Sequence, residues 1–418
     1  MKNVKVKIFA IKCLITLMFV YSYGGLFLIP NASLTRGIIF SPGPLLILII
    51  ILTVSSYSIV GPRALNQAQA PSPTILILLF VLLNLISFCY LLYYKNIMDR
   101  TVVTGFETAA AALVYIPLIR LAEGVDNINI DKIFNTISII AILSISIQIV
   151  YANHYNVMFL KSFDLSKLPI RNGGYRVQLF DPLIAIFILN NFNKLLRIVK
   201  VKYFIQVIVG LSYLLFISQT RSILMYVLLA LAIDYLLSIY AELKKGRIST
   251  FNIISMVPLS VGLVYFLKKM IIQLYKPIQD GTYLNDGSYF ARIGEFTYYL
   301  TKIQENLIFG IGNFSVESVD SIWWSIVHGP TGYYYTQDIG ILGDAARLGV
   351  GIVPIYLMIL FVMFRQQKKS INRPFYGYIV VLLGAIGNYS LLSYGFALGV
   401  LLFFNKYYSL DWKLSDGK

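Results

Sequence analysis

The chain has 418 residues, of which 58% are hydrophobic and only 13% are charged, and its mean hydropathy is +0.73. Soluble domains contain about half apolar and about a quarter charged residues, so this composition excludes a soluble globular protein and indicates an integral membrane protein. The net charge of +16 comes from basic residues interleaved with apolar runs rather than gathered in one domain. That pattern disfavours nucleic acid as a partner and favours topology signals and contacts with anionic membrane lipids.

Apolar runs long enough to cross about 30 Å of hydrocarbon recur along the chain. The first follows Lys2, Lys5 and Lys7 and is too long for the core of a signal peptide. The predicted spans are 8–29, 38–60, 74–94, 102–122, 133–153, 177–193, 201–219, 221–242, 250–272, 346–364, 375–391 and 393–408. The sequence therefore predicts an all-α polytopic membrane protein of about 12 transmembrane helices, organised as a single integral membrane domain over residues 1–418. Pro42-Gly43-Pro44 interrupts the second span.

The distribution of Lys and Arg predicts the orientation. Short basic clusters at 194–202, 244–247 and 365–373 all fall on one side if the N-terminus is cytoplasmic, which places the C-terminus there as well. Two segments then lie outside, a shorter loop at 154–176 and a long loop at 268–346. The long loop is too polar to be embedded in hydrocarbon, so it holds most of the groups that could perform chemistry in water.

Residues Ser288 to Ile303 of the long loop have helical periodicity. Apolar side chains occupy one side and polar side chains the other, as in Phe290, Ile293, Phe296, Leu300 and Ile303 against Arg292, Glu295, Tyr299 and Lys302. We expect an amphipathic helix along the outer membrane surface, with its polar face toward water or a cavity. An ion pair between Arg292 and Glu295, three residues apart, is the simpler interpretation of those two charges.

Lys and Arg prefer cytoplasmic loops, so basic residues on the predicted outer side are exceptions to this preference. Arg171 and Arg176 close the shorter loop in PIRNGGYRVQLFDP, Arg221 opens a span in QTRS, and Arg292 lies on the surface helix. Guanidinium groups bind phosphate oxygens in a bidentate manner, so arginines that converge at the outer headgroup level would suit a diphosphate. Contacts between these side chains and anionic lipid headgroups are the alternative.

Aromatic residues accumulate late in the long loop. They include Trp324, Tyr333, Tyr334 and Tyr335. Such residues form interfacial belts in many membrane proteins. Rings beside polar groups also suit a sugar-binding cleft, because the C–H faces of a pyranose pack on aromatic rings.

These features together resemble the superfamily of bacterial O-antigen polymerases (Wzy-type) and O-antigen ligases. The resemblance lies in the order of RNGGYRVQLFDP, QTRS, ARIGEF, LIFGIGNF, a histidine and QDIGILGDAARLGVGI, and it covers roughly Arg171 to Arg347. It implies a metal-independent glycosyltransferase, without a cofactor, at the outer face of the bacterial inner membrane. Its substrates would be undecaprenyl-diphosphate-linked oligosaccharides, as donor and as acceptor, and a separate chain-length regulator would be a further partner.

The reaction that the resemblance implies assigns roles to residues. Arg176, Arg221 and Arg292, with Arg171, would stabilise the diphosphate leaving group. The acceptor hydroxyl would be deprotonated by His328, or by Glu295 or Asp338 as carboxylate alternatives. Asp338 could instead cap the helix that begins near Ile339.

Two other functions remain open from the sequence. An O-antigen ligase would use the same donor and deliver the glycan to lipid A–core. A transporter or flippase for lipid-linked oligosaccharide would show broken helices and midplane charges in two related halves, whereas here the polar groups concentrate in one loop.

Overall fold

A computed structural model describes residues 2–28, 41–60, 73–95, 97, 100–125, 128–160, 165, 168–171, 173–178, 180–244, 268, 281, 287–314, 321–330, 332, 334–368 and 374–409. The predicted span 250–272 and the start of the long loop lie almost wholly outside these residues.

Helices make up nearly all of the described chain. They are α1 (Lys2–Ser22), α2 (Pro42–Val60), α3 (Pro73–Tyr93), α4 (Arg100–Gly124), α5 (Ile130–Tyr155), α6 (Asp181–Arg197), α7 (Val201–Ser218), α8 (Arg221–Lys244), α9 (Gly287–Glu305), α10 (Ser321–His328), α11 (Gly340–Leu348), α12 (Ile352–Lys368), α13 (Gly377–Asn388) and α14 (Gly395–Ser409). A two-stranded antiparallel hairpin, β1 (Ile170–Arg171) and β2 (Gly174–Tyr175), lies between α5 and α6. The last turn of α7, Tyr213–Ser218, is a π-helix.

The all-α membrane class is confirmed, but the number of spans is not. Among the described residues, six helices are long and apolar enough to cross a membrane, namely α2, α3, α4, α5, α7 and α8. The predicted spans 177–193, 346–364, 375–391 and 393–408 correspond to α6, α12, α13 and α14, which have 17, 17, 12 and 15 residues. These are shorter than the about 20 residues that an α-helix needs to cross the hydrocarbon core.

The second predicted span is not interrupted by its prolines. Pro42, Gly43 and Pro44 form the first turn of α2, which continues to Val60. The missing N–H of a proline costs no hydrogen bond in a first turn, and its fixed φ suits the helix. The prolines therefore begin this helix rather than break it.

Two of the shorter helices form the centre of the bundle. In α6 nearly every residue from Leu183 to Leu195 is buried, and in α14 every residue from Gly395 to Asn405 is buried. Helix α6 packs against α7, α8 and α14, while α14 packs against α4, α6 and α12. Because protein covers all sides of α6, it can carry buried polar residues, and Tyr378 of α13 donates a hydrogen bond to its Asn190.

The helix directions alternate as the sequence predicted. At the predicted inner side, Asp131 at the start of α5 accepts hydrogen bonds from Lys194 near the end of α6 and Tyr408 near the end of α14. At the opposite side, Asp181 at the start of α6 accepts a hydrogen bond from Ser218 at the end of α7. Helix ends that the sequence predicts to be cytoplasmic thus contact one another, and so do helix ends that it predicts to be external.

The part of the predicted long loop that ends in α11 is anchored to the bundle through Arg347 of α11. This residue is 4% exposed and donates hydrogen bonds to the Phe314 carbonyl and to Ser390. Asp344, one turn earlier, accepts hydrogen bonds from Ser390 and from Tyr356 of α12. This part of the long loop is thereby attached to both α12 and the turn that joins α13 to α14.

Candidate functional site

An apolar cleft opens between four helices of the bundle. Its cavity volume is about 50 Å³, and almost all of the surface that lines it is apolar. Its walls come from α6, α8, α13 and α14 and from the turn between the last two, through residues such as Ala185, Ile223, Leu382 and Leu398. The cleft is small and apolar, and it offers very few polar partners.

Polar side chains surround one end of this cleft. Tyr389 and Tyr226 both line it, and each carries a hydroxyl group that is hydrogen-bonded to a neighbouring helix. Tyr389 shares a hydrogen bond with Ser222 in the first turn of α8, and Tyr226 accepts one from Asn388 at the end of α13. These bonds join the predicted outer ends of α8 and α13, and we call this end of the cleft, at Tyr226 and Tyr389, its mouth.

Arg292 of the long loop interacts electrostatically with the mouth. It lies on the exposed side of α9, and its charge interacts with Tyr226 at the mouth and with Glu295 and Asp338 of the loop. A helix over the predicted stretch is confirmed, since α9 runs from Gly287 to Glu305; its position along the outer membrane surface stays a prediction. Its Ile293, Phe296 and Leu300 are exposed. The Glu295 and Tyr299 side chains face the protein instead.

Glu295 is a buried carboxylate, only 2% exposed. Its Oε1 accepts a hydrogen bond of 3.2 Å from the Tyr335 backbone N–H, and its Oε2 has no hydrogen-bond partner among the described residues. Burial raises the pKa of Glu295; the Tyr335 N–H opposes this effect, the Asp338 charge adds to it, and Arg292 opposes it. The predicted ion pair with Arg292 is an electrostatic interaction without a direct contact.

Asp338 is exposed, and it does not cap a helix. Helix α11 begins at Gly340 after a short 3-10 turn at Thr336–Ile339, and the residue at its N-cap position is Ile339, without a side-chain hydrogen bond. Desolvation raises the pKa of Asp338, and Arg292 opposes that rise. Asp338 is thus a solvent-reachable carboxylate beside an arginine.

His328 is enclosed by aromatic rings. It is fully buried, its ring stacks on Trp324 at 3.7 Å, and Tyr335 packs edge-on against it at 5.1 Å. Its Nδ1 lies 3.3 Å from the Trp324 carbonyl oxygen. The predicted base therefore lies inside the loop, and Trp324, which is 37% exposed, is the outer member of the stack.

Of the other predicted sugar-binding residues, Tyr334 lies beside this stack, since its N–H donates to the His328 carbonyl oxygen. Tyr334 is half-buried and packs over Gly294, where a Cβ atom would lie 2.3 Å from the Tyr334 hydroxyl. Tyr335 is half-buried as well. Tyr333 lies outside the described residues.

Arg176 lies in a different segment of the chain, between β2 and α6. It directly follows β2, and its charge interacts with that of Asp181, the residue before the cleft-lining Pro182. The buried Nε of Arg176 has no hydrogen-bond partner among the described residues. Arg171 lies in β1, but its side chain is outside the description.

Arg221 is the first residue of α8 and is exposed. It follows the turn at Gln219 and Thr220. Arg221 directly precedes Ser222, which bonds Tyr389. Two of the predicted diphosphate-binding arginines, Arg176 and Arg292, thus interact electrostatically with Asp181 and Tyr226.

Several residues of the mouth were missed from the sequence. Asp181 directly follows the RNGGYRVQLF segment, so its proximity to an arginine loop was a usable signal. Tyr389 and Asn388 gave none, because the turn between the last two spans is short and carries no charge.

Comparisons with protein-family models, with curated proteins and with solved structures found no match to this chain. The fold is that of a mostly helical membrane protein, with six helices among the described residues that are long and apolar enough to cross a membrane.

Proposed function

We propose that this protein is a glycosyltransferase that polymerises undecaprenyl-diphosphate-linked repeat units into O-antigen or a related surface polysaccharide. It would act at the periplasmic face of the bacterial inner membrane, with both termini cytoplasmic, and without a metal or other cofactor. A chain-length regulator is the partner that the resemblance to the O-antigen polymerases adds.

One observation carries the proposal. Arginines from two separate segments that the sequence predicts to be external, Arg176 and Arg292, interact electrostatically with Asp181 and Tyr226 at one end of an apolar cleft between α6, α8, α13 and α14. A lipid-linked diphosphate has the same layout, with an anionic head at the membrane surface and an apolar chain below it. Guanidinium groups suit that head because they bind phosphate oxygens in pairs.

The arrangement supports group transfer at the mouth. The acceptor hydroxyl oxygen would form a bond to the anomeric carbon of the donor, and the bond between that carbon and the diphosphate would break. Arg176 and Arg292 would stabilise the charge that develops on the departing lipid diphosphate. The hydroxyl proton would pass to a carboxylate.

Asp338 is the most suitable of the predicted bases. It is exposed, whereas Glu295 is 2% exposed and His328 is fully buried. Its raised pKa brings a carboxylate closer to neutrality, where a base is more effective. Glu295 would shape the electrostatics of the site, and Trp324, Tyr334 and Tyr335 would pack against sugar rings.

The test is an assay of chain growth. Purified protein in detergent would be given a single repeat unit on undecaprenyl diphosphate, and we expect a ladder of longer products. Arg292→Lys keeps the charge but loses the paired donors, so we expect turnover to fall about tenfold or more. Lys302→Arg, on the same helix, is the matched control and should keep wild-type turnover.

Two results would contradict the proposal. Unchanged substrate with intact, folded protein would exclude polymerase activity under these conditions. Transfer onto lipid A–core, with no chain growth in its absence, would identify a ligase instead.

A further inference from the structure

Asp181 connects the two arginine-bearing segments that precede α6 and α8. It is 1% exposed, and its Oδ2 accepts hydrogen bonds from the Ser218 and Thr220 hydroxyls. These two residues flank Gln219, whose φ of +53° marks a tight turn directly before Arg221. One carboxylate oxygen thus fixes the turn from which Arg221 projects.

The other carboxylate oxygen of Asp181 is unused. Its Oδ1 is buried and has no hydrogen-bond partner among the described residues, and the same is true of the Arg176 Nε. The two side chains interact through their charges without a direct hydrogen bond. The segment that carries Arg176 lies against the turn that Asp181 fixes, because the Val177 N–H donates to the Ile217 carbonyl oxygen at 3.4 Å. A buried acceptor and a buried donor of opposite charge that both lack a hydrogen bond destabilise the fold, so stability does not explain them.

We propose that Asp181 is a positioning residue, which holds Arg176 at the mouth of the cleft while it fixes the turn before Arg221. This inference rests on the proposed binding of a lipid diphosphate. Arg176 would keep its terminal nitrogens for the phosphate oxygens, because Asp181 constrains the guanidinium group from the side of the protein. The site would then be set before the ligand arrives.

Asp181→Asn separates the two roles of the carboxylate. The amide oxygen can still accept from Ser218 and Thr220, so the turn is retained. The amide nitrogen carries donors and no negative charge, so it cannot hold Arg176. We therefore expect loss of Arg176 positioning in a folded protein.

The experiment is a double-mutant cycle on ligand affinity. Binding of farnesyl diphosphate to the full-length protein in detergent would be measured for the wild type, Arg176→Gln, Asp181→Asn and the double variant. We expect each single variant to lose affinity about tenfold, as for one charge-assisted hydrogen bond, and the double variant to be no weaker than Arg176→Gln alone. Asp131→Asn, at the opposite face and bonded to Lys194, is the control and should bind as the wild type does.

Each other outcome overturns the inference in a distinguishable way. In the first case the wild type binds, Arg176→Gln weakens binding, and Asp181→Asn either binds at least as tightly as the wild type or loses an affinity that adds to the loss in Arg176→Gln. Asp181 then does not position Arg176, and the proposed function stands. If the wild type does not bind farnesyl diphosphate, the proposed function fails as well. Should Asp181→Asn not fold, Thr220→Val in the same cycle replaces it, and additive losses would again refute the inference.

Discussion

A carboxylate with one bonded and one unpartnered oxygen is costly to ionise when it is buried, and Glu295 is in that position. Its raised pKa is the result of that environment. Asp338, whose charge interacts with that of Glu295, is exposed to solvent. The two carboxylates whose charges interact with that of Arg292 therefore differ in their exposure.

The raised pKa of Glu295 predicts how stability depends on pH. In the unfolded chain Glu295 has the ordinary glutamate pKa of about 4.3, whereas in the folded chain its pKa is higher. As pH rises through this interval, Glu295 loses its proton more readily in the unfolded chain, so the free energy of unfolding decreases. Glu295→Gln retains the acceptor for the Tyr335 N–H and removes this titration. We expect its melting temperature to fall less than that of the wild type between pH 4 and 8.

Thermal unfolding in detergent across that range measures the effect. Glu305→Gln, at the exposed end of the same helix, should retain the wild-type slope. Identical slopes for Glu295→Gln and the wild type would show that Glu295 is not the responsible group.

Backbone hydrogen bonds join α11 to the segment that follows α9. The two backbones lie so close together that no side chain fits between them. The Ile311 N–H donates to the Ala346 carbonyl, and the Val350 N–H donates to the Leu307 carbonyl. Gly349 ends α11 with φ +80°, and a Cβ atom there would lie 2.1 Å from the Ile308 carbonyl oxygen. A glycine is required at this position for both reasons.

Gly349→Ala should therefore destabilise the contact between α11 and the segment that follows α9. We expect a loss of about 1–3 kcal/mol or more, from backbone strain and the clash with Ile308. Gly387→Ala is the control, because nothing lies within 4 Å of a Cβ atom there, and in a helix Ala is favoured over Gly by about 0.5–1 kcal/mol. Melting temperatures of the two variants that do not differ would contradict this account.

At the scale of the whole molecule, the bundle has two polar ends that are formed by different helix termini. The Asp131 cluster lies at one end, and the Asp181 cluster and the mouth of the cleft lie at the other. The basic residues between α6 and α7 belong to the first end. By the preference of Lys and Arg for cytoplasmic loops, the mouth should face away from the cytoplasm.

Cysteine labelling tests this orientation. In a background without Cys13 and Cys89, Val157→Cys after α5 and Val199→Cys between α6 and α7 place thiols at exposed positions on opposite ends. In intact cells a membrane-impermeant maleimide should label only the first, and after detergent treatment both. Labelling of only Val199→Cys would invert the orientation, and labelling of both in intact cells would refute the alternating directions.

The sequence by itself determined the membrane class, the positions of most helices and the amphipathic character of α9, because hydropathy and periodicity are local properties of the chain. It also singled out Arg176 and Arg292, since outer arginines are conspicuous against the charge rule. It did not reveal that α6 is central, because burial by neighbouring helices rather than by lipid permits its short length and its asparagines.

Only the tertiary structure placed Tyr389, Tyr226 and Asp181 around one mouth, enclosed His328 between rings and turned Glu295 inward. Each of these positions depends on contacts between residues far apart in the chain, which leave no periodic signal along it.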